Sequence, residues 1–223
     1  MADETVLILA NGEWGETSRL SAAAAGASRV IAADGAWAKA AAAGIHVDLV
    51  IGDLDSLSAS QRQALLVSDT KVHVHPPDKD LTDLELAVDL ALAYSATKLV
   101  VFGAFGGRID HALANVFMLE KAIQRGVEVE LITGDETAWL ARGAFTVPRG
   151  RSGDRISLVP LSARAVVRTE GLHYRLDGDA LRRTSARGIS NVIEKVPARI
   201  VVQSGTLLVV HGPADGASKE GGG

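Results

Sequence analysis

Along the first 133 positions, short and nearly continuous apolar runs alternate with Ala- and Leu-rich segments. Runs at 5–10, 29–33, 48–51, 71–75, 99–103 and 127–132 predict strands, and their continuity suits strands covered on both faces. Between them the spacing predicts helices over 16–25, 36–43, 59–67, 81–94 and 109–125, three of them closed by Gly26, Gly44 and Gly126. Strict strand–helix alternation predicts an α/β domain with a doubly wound, mostly parallel sheet.

From about Ala138 the pattern changes to short β-like runs with no helical period: 144–147, 155–160, 165–168, 191–196, 199–203 and 206–210. Pro148-Arg149-Gly150, Asp177-Gly178-Asp179 and Ser204-Gly205 predict turns between them. The expected organisation is an α/β domain over 1–145, a small all-β sandwich over 146–212, and a flexible tail over 213–223.

Charge follows the same division. The net charge of -4 hides 11 basic and 20 acidic side chains in residues 1–145 against 11 and 5 in residues 146–212. There is no cysteine, which excludes disulfides, thiolate zinc sites, iron–sulfur clusters and a cysteine nucleophile, and suits a reducing cytoplasm. The apolar start follows Asp3 and Glu4 and is too short to cross a bilayer. No membrane partner is expected, and without a basic patch carrying interleaved aromatics no nucleic acid either.

Ligands of open α/β sheets bind at the carboxyl ends of the strands, where this sequence concentrates Asp and Gly. Asn11-Gly12, Asp34-Gly35, Gly52-Asp53-Leu54-Asp55-Ser56, Asp78-Lys79-Asp80-Leu81-Thr82-Asp83 and Gly103-Ala104-Phe105-Gly106-Gly107-Arg108-Ile109-Asp110-His111 each follow a predicted strand. Side chains two apart in extended backbone share a side, so Asp53 and Asp55 form a pair of hard oxygen donors suited to Mg²⁺. Lys79-Asp80-Leu81-Thr82-Asp83 opens a helix; its polar groups can cap the helix or, with Lys79, hold a phosphate. The glycines before Arg108 allow close backbone approach, and its guanidinium suits a phosphate. Neither a P-loop nor a G-x-G-x-x-G fingerprint is present.

These segments, together with Asn115, Gly171-Leu172-His173-Tyr174 and Gly188-Ile189-Ser190-Asn191, occur in an order that resembles the thiamine pyrophosphokinase family. The resemblance implies an N-terminal α/β domain and a C-terminal β-sandwich. It implies transfer of pyrophosphate from ATP to the hydroxyl of thiamine, giving thiamine diphosphate and AMP, by a homodimer with active sites at the interface. It places Mg²⁺ on Asp53, Asp55 and Asp83, the nucleotide near Asp34, Lys79, Thr82, Arg108 and Asp110, and thiamine against Ser190 and Asn191. Asp80 or Asp110 would take the hydroxyl proton. One departure stands out: where some relatives carry an aromatic residue that stacks on the vitamin, Val192 and Ile193 follow the Ser-Asn pair.

Other readings are a pyrophosphokinase for another heterocyclic alcohol such as a pterin, a non-catalytic thiamine- or nucleotide-binding regulator, and a kinase that releases ADP. The charge asymmetry suggests that the basic β-domain docks on the acidic domain of a second copy, an attraction that high salt weakens.

Overall fold

The computed structural model describes residues 4–75 and 81–214. The elements run β1 (Thr5–Leu9), α1 (Thr17–Ala25), β2 (Arg29–Ala33), α2 (Ala36–Ala42), β3 (Leu49–Gly52), α3 (Ala59–Leu66), β4 (Lys71–Val74), α4 (Asp83–Ala93), β5 (Lys98–Phe102), α5 (Ile109–Met118), α6 (Glu120–Gln124) and β6 (Glu128–Thr133). There follow β7 (Glu136–Thr146), β8 (Arg155–Pro160), β9 (Arg164–Glu170), β10 (Asp177–Arg182), β11 (Asn191–Val192) and β12 (Arg199–Gly212). The chain divides into two compact units at Gly134/Asp135, earlier than the boundary expected near 145. The apolar first half of β7 pairs with β12 and so belongs to the second unit.

In the first unit the strands lie in the order β6-β5-β1-β2-β3-β4, all pairs parallel. Leu7 and Leu9 pack with Leu20 of α1 and Ala36, Trp37 and Ala40 of α2. The alternate residues Val6 and Ile8 are equally buried, on the opposite face by strand geometry; α4 packs on β1, β2 and β3, burying Leu84, Ala87, Val88 and Ala91. Each fully buried Leu or Ile contributes about 1.5–3 kcal/mol, so the strand ends that carry the polar loops rest on a packed base. The edge strand β4 departs from the all-buried expectation: Lys71, His73 and Val74 are exposed. The single helix expected over 109–125 is two, because the chain tightens at the fully buried Leu119, whose carbonyl accepts the Ala122 N–H at 3.0 Å.

Order reverses at β1. The chain fills β1 to β4 in one direction and then returns to lay β5 on the free side of β1. This makes the crevice between the ends of β1 and β5 the topological switch point, where such sheets take their ligands.

The second unit is all β. Its longest strand, β12, pairs with β7 along both halves, with β9 through residues 199–204 and with β8 through residues 207–212. Trp139, Ile156, Leu158, Val167, Ile193, Ile200, Leu207 and Val209 form its core. The sequence predicts two strands separated by a Ser204-Gly205 turn; the structure has one strand with an irregular register there. Gly205 has φ +86°, and a Cβ would meet the Arg164 carbonyl oxygen at 2.6 Å, so this glycine serves a bulge instead of a reversal. Asp177-Gly178-Asp179, expected as a turn, starts β10 with a bulge against β9. The strand expected over 191–196 is the two-residue β11.

Candidate active site at the strand ends

Backbone hydrogen bonds join the loops that leave β1 and β5. The N–H groups of Ala10, Gly12 and Glu13 donate to the carbonyls of Phe102, Gly103 and Phe105 at 2.8, 3.0 and 2.7 Å. Beside them opens a cavity of about 450 Å³ whose lining includes Asn11, Asp34, Ser56, Thr82, Asp83 and Arg108. The switch point therefore collects residues that follow β1, β2, β3 and β5 with the first turns of α4 and α5.

Carboxylates dominate one wall. Asp34, Asp53 and Asp55 offer oxygens that all lie within 4.8 Å of one another. Asp34 is only 6% exposed, and among the described residues its Oδ1 is buried without a hydrogen-bond partner. Its φ of +45°, held by its N–H to the Ile51 carbonyl at 2.9 Å, is uncommon for a residue with a side chain. At an effective dielectric of about 20, two like charges at this separation repel by roughly 3 kcal/mol, less for the exposed Asp55. Buried polar atoms are almost always hydrogen-bonded. A carboxylate with a partnerless buried oxygen, grouped with two more carboxylates, therefore fits a hard, oxygen-preferring divalent cation such as Mg²⁺.

The pair Asp53 and Asp55 converges for a reason other than strand alternation. Both residues lie past the end of β3; Leu54 adopts φ +63°, and Asp53 Oδ1 accepts the Asp55 N–H at 3.1 Å. Asp83, expected among the metal ligands, is not in this group of three, and Asp34, expected at the nucleotide, is. Asp83 lies nearby across Gly52: a Cβ there would meet Asp34 Cβ at 2.9 Å and Asp83 Oδ1 at 3.2 Å. Glycine at this strand end lets the two acidic side chains approach from either side.

Thr82 is the N-cap of α4, its hydroxyl oxygen accepting the Glu85 N–H at 3.2 Å. Of the two roles open to this segment, Thr82 fills the cap, and its hydroxyl proton remains able to donate. The expected site residues Lys79 and Asp80, with Asp78, lie outside the described residues.

Arg108 precedes α5 and meets Asp110 in two hydrogen bonds, Nε to Oδ1 at 3.1 Å and Nη2 to Oδ2 at 2.5 Å. This pairing, with the His111 backbone N–H, lowers the Asp110 carboxyl to about 2 and raises Arg108. Against an ordinary Asp value, a depressed carboxyl adds stability that is present above the unfolded pKa and lost as pH falls through about 2. Both side chains are largely exposed, so that contribution is small. A carboxyl-detected NMR titration should find Asp110 still ionised at about pH 3, and Arg108→Ala should raise it toward the ordinary range, with the His111 N–H still in place; an unshifted Asp110 in the wild type would contradict the pairing. Deeper in, the buried Asn115 donates from Nδ2 to the Ala104 carbonyl at 2.7 Å, fixing the loop after β5.

Ser190 and Asn191 lie in the second unit. Ser190 has φ +57°, and its N–H donates to Ser157 Oγ at 3.0 Å. Asn191 is buried at 6% exposure and uses its amide internally: Oδ1 accepts the N–H groups of Tyr174 and Val192, each at 2.9 Å, and Nδ2 donates to the Tyr174 carbonyl at 2.7 Å. Asn11, Ser56 and His111, which stand directly after a strand or at a helix start in the segments the sequence marks, also line the strand-end cavity. A second cavity, of about 480 Å³, is lined by Gly12, Glu13, Trp14, Gly15, Lys39 and Gly134. Lys39 Nζ donates to the Asn11 carbonyl at 2.7 Å there.

Two family models match the chain: "Thiamin pyrophosphokinase, catalytic domain" over residues 20–131 and "Thiamin pyrophosphokinase, vitamin B1 binding domain" over residues 144–207. The thiamine pyrophosphokinase of Bacillus subtilis is 28% identical over 171 residues, covering 76% of this chain and 80% of that protein. Thiamine pyrophosphokinase 1 of Oryza sativa subsp. japonica is 24% identical over 174 residues, covering 73% of this chain and 65% of that protein. In fold, the chain is similar to the crystal structure of the Bacillus subtilis enzyme, with TM-score 0.82 and 23% identity over 95% of this chain and 100% of that one. It is also similar to thiamin pyrophosphokinase from Candida albicans, with TM-score 0.80 and 16% identity over 95% and 89% of the two chains. With the catalytic-domain model matching half of its length and the vitamin-binding model most of the remainder, the chain belongs to the thiamin pyrophosphokinase family.

Proposed function

We propose that the strand-end pocket transfers the pyrophosphoryl group of ATP to the hydroxyl of thiamine, releasing AMP. The observation that carries this reading is Asp34, whose buried Oδ1 has no hydrogen-bond partner among the described residues, grouped with Asp53 and Asp55 at the switch point in a chain that carries both family domains. Asp34, Asp53 and Asp55 would hold Mg²⁺, with Asp83 close by. When bound, Mg²⁺ supplies neutralisation of the triphosphate charge.

Transfer of this kind needs positioning and charge compensation more than covalent help. The first turns of α4 and α5 line the cavity, and free amides at helix starts favour phosphate. Arg108, with its forked guanidinium, is placed to trade the Asp110 carboxylate for a phosphate. While paired, Asp110 at about 2 is a weak base; once Arg108 turns to the nucleotide, Asp110 regains basicity and can take the hydroxyl proton. Lys79, Asp80 and Thr82 are proposed to serve the nucleotide, and Ser190 and Asn191 to serve thiamine. Offering the purified protein thiamine and a hydroxymethyl pterin in parallel, with ATP and Mg²⁺, tests the substrate: pyrophosphorylation of the pterin alone would overturn the thiamine reading.

We further propose a homodimer with active sites at the subunit interface. Ile109, Leu113 and Phe117 are 78, 56 and 46% exposed, recur every four residues along α5, and rise from Arg108 at the pocket mouth. An apolar stripe of this kind suits a second copy. Leu113→Asp should shift the protein to monomer in analytical ultracentrifugation and lower activity with it; an unchanged dimer would remove α5 from the interface. Among the described residues no helix is long and apolar enough to cross a membrane, and the absence of cysteine supports a cytoplasmic setting.

A further inference from the structure

The loop after β1 is tied down on two sides. Its N–H groups at Ala10, Gly12 and Glu13 are spent on the carbonyls of Phe102, Gly103 and Phe105, and Gly12 packs so closely there that a Cβ would strike the Phe105 and Gly103 carbonyl oxygens. Its own carbonyls are spent on side chains. Trp14 Nε1 donates to the Ala10 carbonyl at 2.7 Å. The Lys39 ammonium donates to the carbonyls of Asn11 and Gly12 at 2.7 and 3.3 Å, and it lies 5.8 Å from the centre of the Trp14 ring. Two successive carbonyls gathered on one ammonium fix the peptide between them, because each backbone group then has its partner in one orientation.

What this leaves unspent is Asn11 itself. Among the described residues neither its N–H nor its side-chain amide enters a hydrogen bond. The residue lines the strand-end cavity with Asp34, Thr82 and Arg108, and its Nδ2 lies 3.2 Å from where a Cβ on Gly35 would stand, at the start of α2. Lys39 comes from the last turn of that same helix. One end of α2 thus lies against the Asn11 side chain while the other holds the Asn11 carbonyl. Lys39 and Trp14 line the second cavity, Asn11 the strand-end cavity, and Gly12 both, so Lys39 grips the shared wall from behind. A backbone N–H and an amide with unspent donors, beside Arg108 and Thr82, suit the oxygens of a phosphate.

We infer that Asn11 donates to a phosphate of the nucleotide, and that Lys39 is a positioning residue that sets the Asn11–Gly12 peptide from outside the strand-end cavity. This rests on the ATP reading above and adds a group that holds the nucleotide, with the cation that orients it.

The test is a double-mutant cycle on the full chain, with ATP and thiamine varied separately and the binding of ADP with Mg²⁺ measured by calorimetry. Lys39→Met keeps the stem and removes the ammonium. It should raise the KM for ATP and the Kd for ADP roughly tenfold, the scale of one lost hydrogen bond, with kcat and the KM for thiamine within about twofold and the melting temperature unmoved. Asn11→Ala should do the same. Lys39→Arg, whose guanidinium has donors enough for both carbonyls, should restore the ATP KM. Because Lys39 acts through Asn11, adding Lys39→Met to Asn11→Ala should cost less than twofold more; fully additive losses would show two independent contacts and overturn the positioning role. An unchanged ATP KM in Lys39→Met, or a lower melting temperature with both KM values raised alike, would overturn the inference while leaving the function standing. Failure of the wild type to bind ADP or to turn over thiamine would instead remove the reading on which the inference rests.

Discussion

Asp34→Asn is expected to lower thiamine diphosphate formation by at least about a hundredfold, the scale of losing one charge-stabilising group at a preorganised site. In the absence of Mg²⁺ the same change should raise the melting temperature. Asparagine has nearly the same volume and tolerates the positive φ that Asp34 adopts, so the backbone can stay as it is. What changes is charge: one of three carboxylates within 4.8 Å becomes neutral, and the amide can donate to the remaining two. Relief of about 1 kcal/mol corresponds to roughly 2–4 °C in a chain of this size. The stabilisation conferred by added Mg²⁺ should shrink in parallel, because a ligand stabilises only in proportion to its affinity for the folded state. Initial rates with melts recorded with and without Mg²⁺ decide the matter. A variant that keeps its rate, or that melts lower in chelator while keeping the full Mg²⁺ shift, would show that Asp34 serves the fold and not the metal.

Arg108→Ala should be as severe for turnover, again about a hundredfold or more, with the melting temperature unmoved. Its guanidinium is largely exposed and its contact is to the equally exposed Asp110, so the fold loses little. The reaction loses the forked donor that replaces Asp110 with phosphate. Arg108→Lys should not rescue, because an ammonium is a point charge without the bidentate fork. Near-normal turnover in Arg108→Ala would place Arg108 outside the site.

Much of this was legible in the residues themselves. Continuous apolar runs alternating with Ala- and Leu-rich segments are what a two-sided sheet demands, and all six parallel strands formed within a residue or two of expectation. The loops that build the pocket were marked by position after those strands. Other features depended on distant partners. Asp34 joins Asp53 and Asp55 because β2 and β3 are neighbours in the sheet and Leu54 turns back with φ +63°; no spacing in the chain encodes that meeting. Ser204-Gly205 carries turn chemistry but makes a bulge, since β9 on one side and β8 on the other hold both halves of β12 to β7. The resemblance places Asn191 against the substrate; that its side-chain amide also bonds the Tyr174 backbone is a contact across 17 residues that only the folded β-unit shows.

Product analysis distinguishes pyrophosphoryl transfer from every other reading of this pocket. The purified protein is incubated with ATP, Mg²⁺ and thiamine, and the phosphorus-31 NMR spectrum of the mixture is recorded. Pyrophosphoryl transfer yields AMP and thiamine diphosphate in equal amounts, with no ADP. ADP with a thiamine monophosphate, or thiamine bound without any turnover, would contradict it.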